Sequence, residues 1–222
     1  MTTAAAGRNN RAAGLVVKPL MRVWFRLRVD GADHLPASGP VILAANHRSN
    51  VDQVLLATAV RRPVFFMAKA ELFVGPLGSI LDWIGQFPVR RGGLDRDALR
   101  QTDEVLARGG VLGLFHEGTR GEGRFATVHE GLGYIVLRQR CPVLPVALLG
   151  SERVRRRGGW LPFASPVRVV VGPPLDLPDP GGGRTGRRAA TETLRRTLEQ
   201  FVRQAEASSA GKERSIDKLI QL

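Results

Sequence analysis

Short apolar runs and helical patterns alternate along this chain from Arg26 to Val171, and that alternation leaves few folds open. Pro40-Val-Ile-Leu-Ala-Ala45 is apolar throughout rather than at every second residue, as suits a strand buried on both faces. Arg26 to Val29, Val64 to Met67, Gln86 to Val89, Val111 to Phe115, Val143 to Leu149 and Val167 to Val171 read as further strands. Helical spacing over Gln53 to Val60, Leu72 to Ile84, Leu94 to Ala107 and Leu132 to Arg138 falls between most of them. The pattern predicts an α/β domain whose largely parallel central sheet is covered by helices.

The ends of the chain read differently. Met1 to Arg11 is small, polar and basic, which predicts a disordered start over residues 1–13. From Val16 to Leu27, Lys18, Arg22 and Arg26 recur at one helical spacing while Leu20, Val23, Trp24 and Leu27 follow another. This amphipathic helix is either an interfacial anchor, with cations among anionic headgroups, or a surface helix packed on the core. Pro173-Pro174 and Pro178 to Gly186 read as a linker into a final helix with Ala190, Leu194, Leu198, Phe201 and Ala205 on one face. A single domain over residues 14–207 is expected, followed by a loose tail over residues 208–222.

Charge narrows the partners. The chain carries 33 Lys plus Arg against 20 Asp plus Glu, a formal charge of +13, which favours ligands bearing phosphates: nucleic acid, anionic lipid or nucleotide thioesters. Sparse aromatics, the lack of zinc-ligand spacing and the lack of a base-reading motif argue against nucleic acid. Cys141 is alone, so an intramolecular disulfide is excluded and a reducing compartment is expected. No run approaches the ~18 apolar residues of a membrane span, and the first residues lack a signal-peptide core.

Chemistry concentrates where the predicted strands end. Asn46-His47-Arg48-Ser49-Asn50-Val51-Asp52 leaves a buried strand for a helix, and open α/β sheets hold ligands at such junctions. Histidine removes a proton from an alcohol near neutral pH, and a carboxylate one turn into the helix can reach its other ring nitrogen. The alternative is a capping or core hydrogen bond. Two more strands end on polar groups: Gln86-Phe87-Pro88-Val89-Arg90-Arg91-Gly92 and Leu114-Phe115-His116-Glu117-Gly118-Thr119-Arg120. Arginine forks suit phosphate, and Gly118 admits a ligand close to the backbone. A solvated pair at Arg90-Arg91 and a structural ion pair between Glu117 and Arg120 are the competing readings.

Together these blocks resemble the 1-acylglycerol-3-phosphate acyltransferase family and its glycerolipid acyltransferase relatives. His47 and Asp52 fit the family's H-x4-D motif, Phe87 to Gly92 its second block, Phe115 to Arg120 its F-P-E-G-T-R block, and Val143-Leu144-Pro145-Val146 its fourth. The resemblance covers roughly Gly31 to Arg153. It implies His47 as general base oriented by Asp52, an acceptor phosphate held by Arg90 or Arg91 with Glu117, Gly118, Thr119 and Arg120, and an acyl-donor site bordered by Pro145. It implies no resident cofactor or metal. The partners it implies are acyl-CoA or acyl carrier protein as co-substrate, a lysophospholipid acceptor and an anionic membrane surface, met peripherally at the cytoplasmic face of the cell membrane. Glycerol 3-phosphate, another lysophospholipid or a glycolipid stays open as acceptor. His116 replaces the family's proline, read as a loop substitution, and Val128-His129 replaces a Phe-Lys pair, with Arg124 or a protonated His129 as substitute cations. Arg153 to Arg157, with Trp160, Leu161 and Phe163, is read as a membrane face, a contact for the coenzyme A phosphates or a solvated loop.

Overall fold

The structure, a computed structural model, describes residues 4–90, 95–117, 133–154, 165–177 and 183–220. Helix α1 (Ala4–Trp24) precedes β1 (Arg28–Asp30), β2 (Val41–His47), α2 (Asp52–Ala59), β3 (Val64–Lys69), α3 (Gly75–Trp83), β4 (Phe87–Val89), α4 (Arg96–Ala107) and β5 (Val111–Glu117). Helix α5 (residues 133–139), β6 (Val143–Leu149), β7 (Arg168–Val171) and α6 (Gly183–Ile220) follow. The seven strands form one sheet in the order β1-β7-β6-β2-β5-β3-β4. All neighbours pair in parallel except β6 and β7, so the sheet is largely parallel as the alternation predicts.

Both faces of the sheet are covered, which is why β2 is apolar at every position up to Asn46. Val41, Leu43 and Ala45 pack with Phe25 and with Leu55, Leu56 and Ala59 of α2. Ile42 and Ala44 pack on the other side with Val105 and Leu106 of α4, Ile135 and Val136 of α5, and Leu194 and Leu198 of α6. The final helix buries Ala190, Leu194, Leu198 and Ala205, the face its sequence marked.

The two ends depart from expectation. Helix begins at Ala4, not at Val16, so residues 4–13 are ordered helix rather than a disordered start. The reason is tertiary. Asn9 Nδ2 donates to the Trp83 carbonyl at 3.0 Å, Asn10 Nδ2 donates to the Val64 and Ile84 carbonyls at 3.1 Å each, and Ala6 is buried. At the other end α6 starts at Gly183, inside the expected linker, and continues to Ile220 through the segment expected to be loose. No proline interrupts residues 183–220, and extending a formed helix adds one hydrogen bond per residue fixed.

The basic stripe on α1 also has a different role. Lys18 Nζ donates to the Val60 carbonyl at 2.7 Å and to that of Arg61 at 3.4 Å, and Arg22 Nη2 donates to that of Thr58 at 3.4 Å. These carbonyls end α2, where a helix concentrates partial negative charge, so both cations cap α2 instead of standing free for headgroups. Burial, and then the neighbouring Arg22 charge, lower the pKa of Lys18 from its ordinary value. Leu15, Val16, Leu20, Val23 and Trp24 are left facing out, with Val23 79% exposed.

Gly85 joins this helix to the domain. Its φ is +78°, and a Cβ there would lie 2.8 Å from the Ala6 Cβ and 2.9 Å from Phe65 Cε1. Gly85→Ala should therefore cost about 1–3 kcal/mol through strain and overpacking. At ~2–4 °C per kcal/mol for a chain of this size, calorimetry should read a Tm lower by several degrees, with amide exchange rising first near Asn9 and Asn10.

Candidate active site

Strand β2 leaves the sheet at His47, and five residues later Asp52 opens α2 with its side chain buried and 0% exposed. A carboxylate in a first helical turn is favoured by the helix dipole, but burial requires hydrogen bonds as well. Asp52 Oδ2 accepts three: from Arg48 N at 2.6 Å, Ser49 N at 2.7 Å and His47 Nδ1 at 2.9 Å. The turn thus folds around one oxygen. Because carboxylate only accepts here, the His47 proton sits on Nδ1 and the lone pair is left on Nε2. The imidazole is about a quarter exposed, and the Phe115 ring lies 4.8 Å from it between centroids, with Phe66 stacked behind Phe115 at 5.7 Å. An imidazole held this way can take a proton at Nε2, and the buried carboxylate at Nδ1 stabilises the imidazolium that forms.

Neighbouring groups fix where β2 ends. Asn46 Oδ1 accepts from Leu148 N at 2.7 Å and its Nδ2 donates to Leu148 O at 3.0 Å, so a side chain continues the ladder to β6 as the β2 backbone turns away. Arg48 pairs with Glu206 of α6, and with Glu152 at 3.7 Å, tying the turn to two further elements.

The other expected site residues divide. Glu117 closes β5 in register with His47. His116 lies inside β5, opposite Asn46, and so is a strand residue rather than a loop one. Arg90 follows β4, three strands from β2, or roughly 14 Å at the usual strand spacing. Its N–H donates to Asp95 Oδ2 at 2.9 Å, and this bond leads the hydrogen bonds that lower the Asp95 pKa. Arg91, Gly118, Thr119, Arg120, Arg124, Val128, His129, Arg155 to Arg157 and Trp160 to Phe163 lie outside the described residues. Pro145 is not brought to this edge: it pairs with Ala44 within the sheet, is buried, and packs near Gly172, on the face opposite His47. Lys69, exposed at the end of β3 in register with Val89, stands at the same edge and was passed over in the sequence. Its position at the end of a run covered on both faces was the available signal. Among the described residues no group of His, Cys, Asp and Glu could hold a metal ion.

Comparison with known proteins now bears on this arrangement. The family model described as Acyltransferase matches residues 26–149, more than half of the chain and all of the β2–α2 turn. This chain belongs to the acyltransferase family. It is similar to a chloroplastic 1-acyl-sn-glycerol-3-phosphate acyltransferase of Arabidopsis thaliana, 27% identical over 161 residues, which are 68% of this chain but 44% of that protein. A 1-acyl-sn-glycerol-3-phosphate acyltransferase of Bacillus subtilis is 26% identical over 165 residues, covering 73% of this chain and 80% of the relative. The crystal structure of the 1-acyl-sn-glycerophosphate acyltransferase PlsC from Thermotoga maritima superposes with a TM-score of 0.64 at 25% identity, over 86% of this chain and 79% of that one. The α/β fold of this acyltransferase, with its N-terminal helix, matches that structure.

The three-donor arrangement predicts an asymmetry between two substitutions. Asp52→Ala leaves two backbone N–H groups and the imidazole without their acceptor, and each buried unmet donor costs about 1–3 kcal/mol. Asp52→Asn keeps one acceptor oxygen. Urea unfolding should show the alanine variant the less stable by at least ~1 kcal/mol, with faster amide exchange at Arg48 and Ser49.

Proposed function

We propose that the protein moves a fatty acyl group from acyl-CoA or acyl carrier protein to the free hydroxyl of 1-acylglycerol-3-phosphate, giving phosphatidate. The observation that carries this is the 2.9 Å contact from His47 Nδ1 to buried Asp52 in a chain of the acyltransferase family. His47 Nε2 would take the hydroxyl proton as the oxygen attacks the thioester carbonyl carbon. The tetrahedral adduct then collapses, the carbon–sulfur bond breaks, the thiolate leaves, and the imidazolium returns the proton to sulfur. Asp52 stabilises the transient imidazolium and keeps the ring in the required tautomer.

For the acceptor phosphate we assign Arg90, Arg91, Lys69 and the segment from Glu117 through Arg120. The support is that Lys69, Arg90 and Glu117 stand at strand ends on the His47 edge, that the others follow them directly in the chain, and that the relatives are named for the same acceptor. A long-chain acceptor resides in a bilayer, and the outward apolar face of α1, bordered by exposed Arg8 and Arg11, fits a peripheral contact with that surface. Among the described residues no helix is long and apolar enough to cross a membrane.

A thiol-trapping assay with acyl-CoA and a panel of lysophospholipids tests the reading. Thiol should appear with 1-acylglycerol-3-phosphate, and His47→Ala should lose about 10²–10⁴ in rate without loss of fold by circular dichroism. Wild-type turnover by folded His47→Ala would overturn the mechanism, and release with another acceptor alone would overturn the substrate. Arg90→Ala and Lys69→Ala should raise the acceptor KM several-fold and leave the donor KM unchanged. Unchanged acceptor KM in both would move the phosphate site elsewhere.

A further inference from the structure

Helix α3 exposes a second apolar surface that the chemistry above does not use. Leu72 is 42% exposed, Val74 70%, Leu77 52%, Ile80 56% and Trp83 50%. Water is a poor neighbour for so many large side chains on one short segment, and clustered exposure of this kind marks an interaction surface. From Leu72 to Leu81 the sequence has no charged residue. Gly78 faces inward, where a Cβ would meet the Phe73 carbonyl carbon at 2.4 Å, so α3 lies tight on its own approach and Leu77 and Ile80 stay outside.

Topology says where this ridge points. It starts directly after β3, whose last residue Lys69 pairs with Val89 at the His47 edge of the sheet, and descends to β4. Its far end meets α1, where Asn9 Nδ2 donates to the Trp83 carbonyl. Helix α1 then crosses α2 and returns towards the same edge: the Phe25 carbonyl accepts from Val167 N, next to Arg168, which pairs with Leu149 at the end of β6. The two apolar faces therefore adjoin at one contact, and Val54, near the α2 start, is itself 39% exposed. The charge around them has one sign on the α1 side. Arg8, Arg11, Arg26 and Arg28 are exposed there, Lys18 and Arg22 being engaged with the α2 carbonyls, and residues 1–29 hold no carboxylate.

We infer that the ridge Leu72–Val74–Leu77–Ile80–Trp83 is a second lipid-docking arm, inserting beside α1 into one anionic leaflet and setting the His47 edge against it. The apolar ridge, bounded by exposed Glu71 and Asp82, meets an acid-free helix whose exposed arginines match the anionic surface of a leaflet, while the two apolar faces match its interior. This rests on the reading of a bilayer-resident acceptor, and it adds that α1 alone does not orient the site.

Variants carrying Trp83 as sole tryptophan (Trp24→Phe and Trp160→Phe) would be bound to vesicles of phosphatidylglycerol and phosphatidylcholine brominated on the acyl chains. Trp83 emission should be quenched by the brominated lipid and shielded from aqueous iodide. Leu77→Ser with Ile80→Ser, both at exposed positions, should lower vesicle partition at least roughly tenfold in high salt. Turnover of a water-soluble short-chain acceptor should stay unchanged. An unquenched, iodide-accessible Trp83 on bound protein overturns the second arm, as does wild-type partition of the serine variant. A concentration-dependent dimer that the serine pair dissociates would assign the ridge to a second copy and overturn it too. Loss of short-chain turnover in the wild-type protein would strike at the acceptor reading instead, because quenching needs no catalysis.

Discussion

One carboxylate oxygen organises the centre of this molecule. Asp52 Oδ2 gathers two backbone N–H groups and an imidazole N–H within 2.9 Å, and it does so with no exposure to solvent. Water cannot substitute for any of these bonds, so the turn from β2 to α2 has one arrangement that satisfies all of its donors. The orientation of His47, the start of α2 and the direction in which β2 leaves the sheet are consequences of the same atom. Asn46 completes the constraint from the other side by giving Leu148 of β6 the partners that the departing backbone no longer offers.

Helix α1 keeps the amphipathic pattern of its sequence and the outward apolar face of the anchor reading, but not that reading's free cations. Lys18 and Arg22 turn inward to the α2 carbonyls, while Leu20, Val23 and Trp24 face out and Leu27 packs on the core. The exchange is favourable because helix-end carbonyls need donors and long basic side chains reach them while their stems cover apolar surface. It leaves an exposed apolar surface that is costly in water. Support of α2 and an outward apolar face therefore belong to one helix, with its inward cations holding the scaffold beneath that face.

Much of the fold was legible because burial on both faces leaves an unmistakable trace. Continuous apolar runs at 41–45 and 143–149 belong to central strands, and the run at 190–205 with helical spacing packs where its face predicts. His47 and Asp52 were legible for a related reason: a five-residue separation across a strand-to-helix turn is short enough that local geometry brings them together. Boundaries set by distant partners were not. The start of α1 depends on Asn9 and Asn10 reaching carbonyls 54 and 74 residues away, and small polar residues give no local hint of that. Pro145, which the resemblance sets beside the acyl donor, lies inside the sheet by strand register and on the face opposite His47 by alternation, a placement its block alone does not reveal.

The sequence by itself determined the class of fold, the strands that lie at its centre and the pair of groups around which the β2–α2 turn closes, since each follows from periodicity or from contacts a few residues apart. Only the tertiary structure decided which side of α1 meets the protein, that α3 presents an exposed apolar ridge beside it, and that Lys69 shares an edge with His47. Those facts depend on strand order and on hydrogen bonds between segments remote in the chain, and hydrophobic spacing carries no record of which surface a side chain will find opposite it.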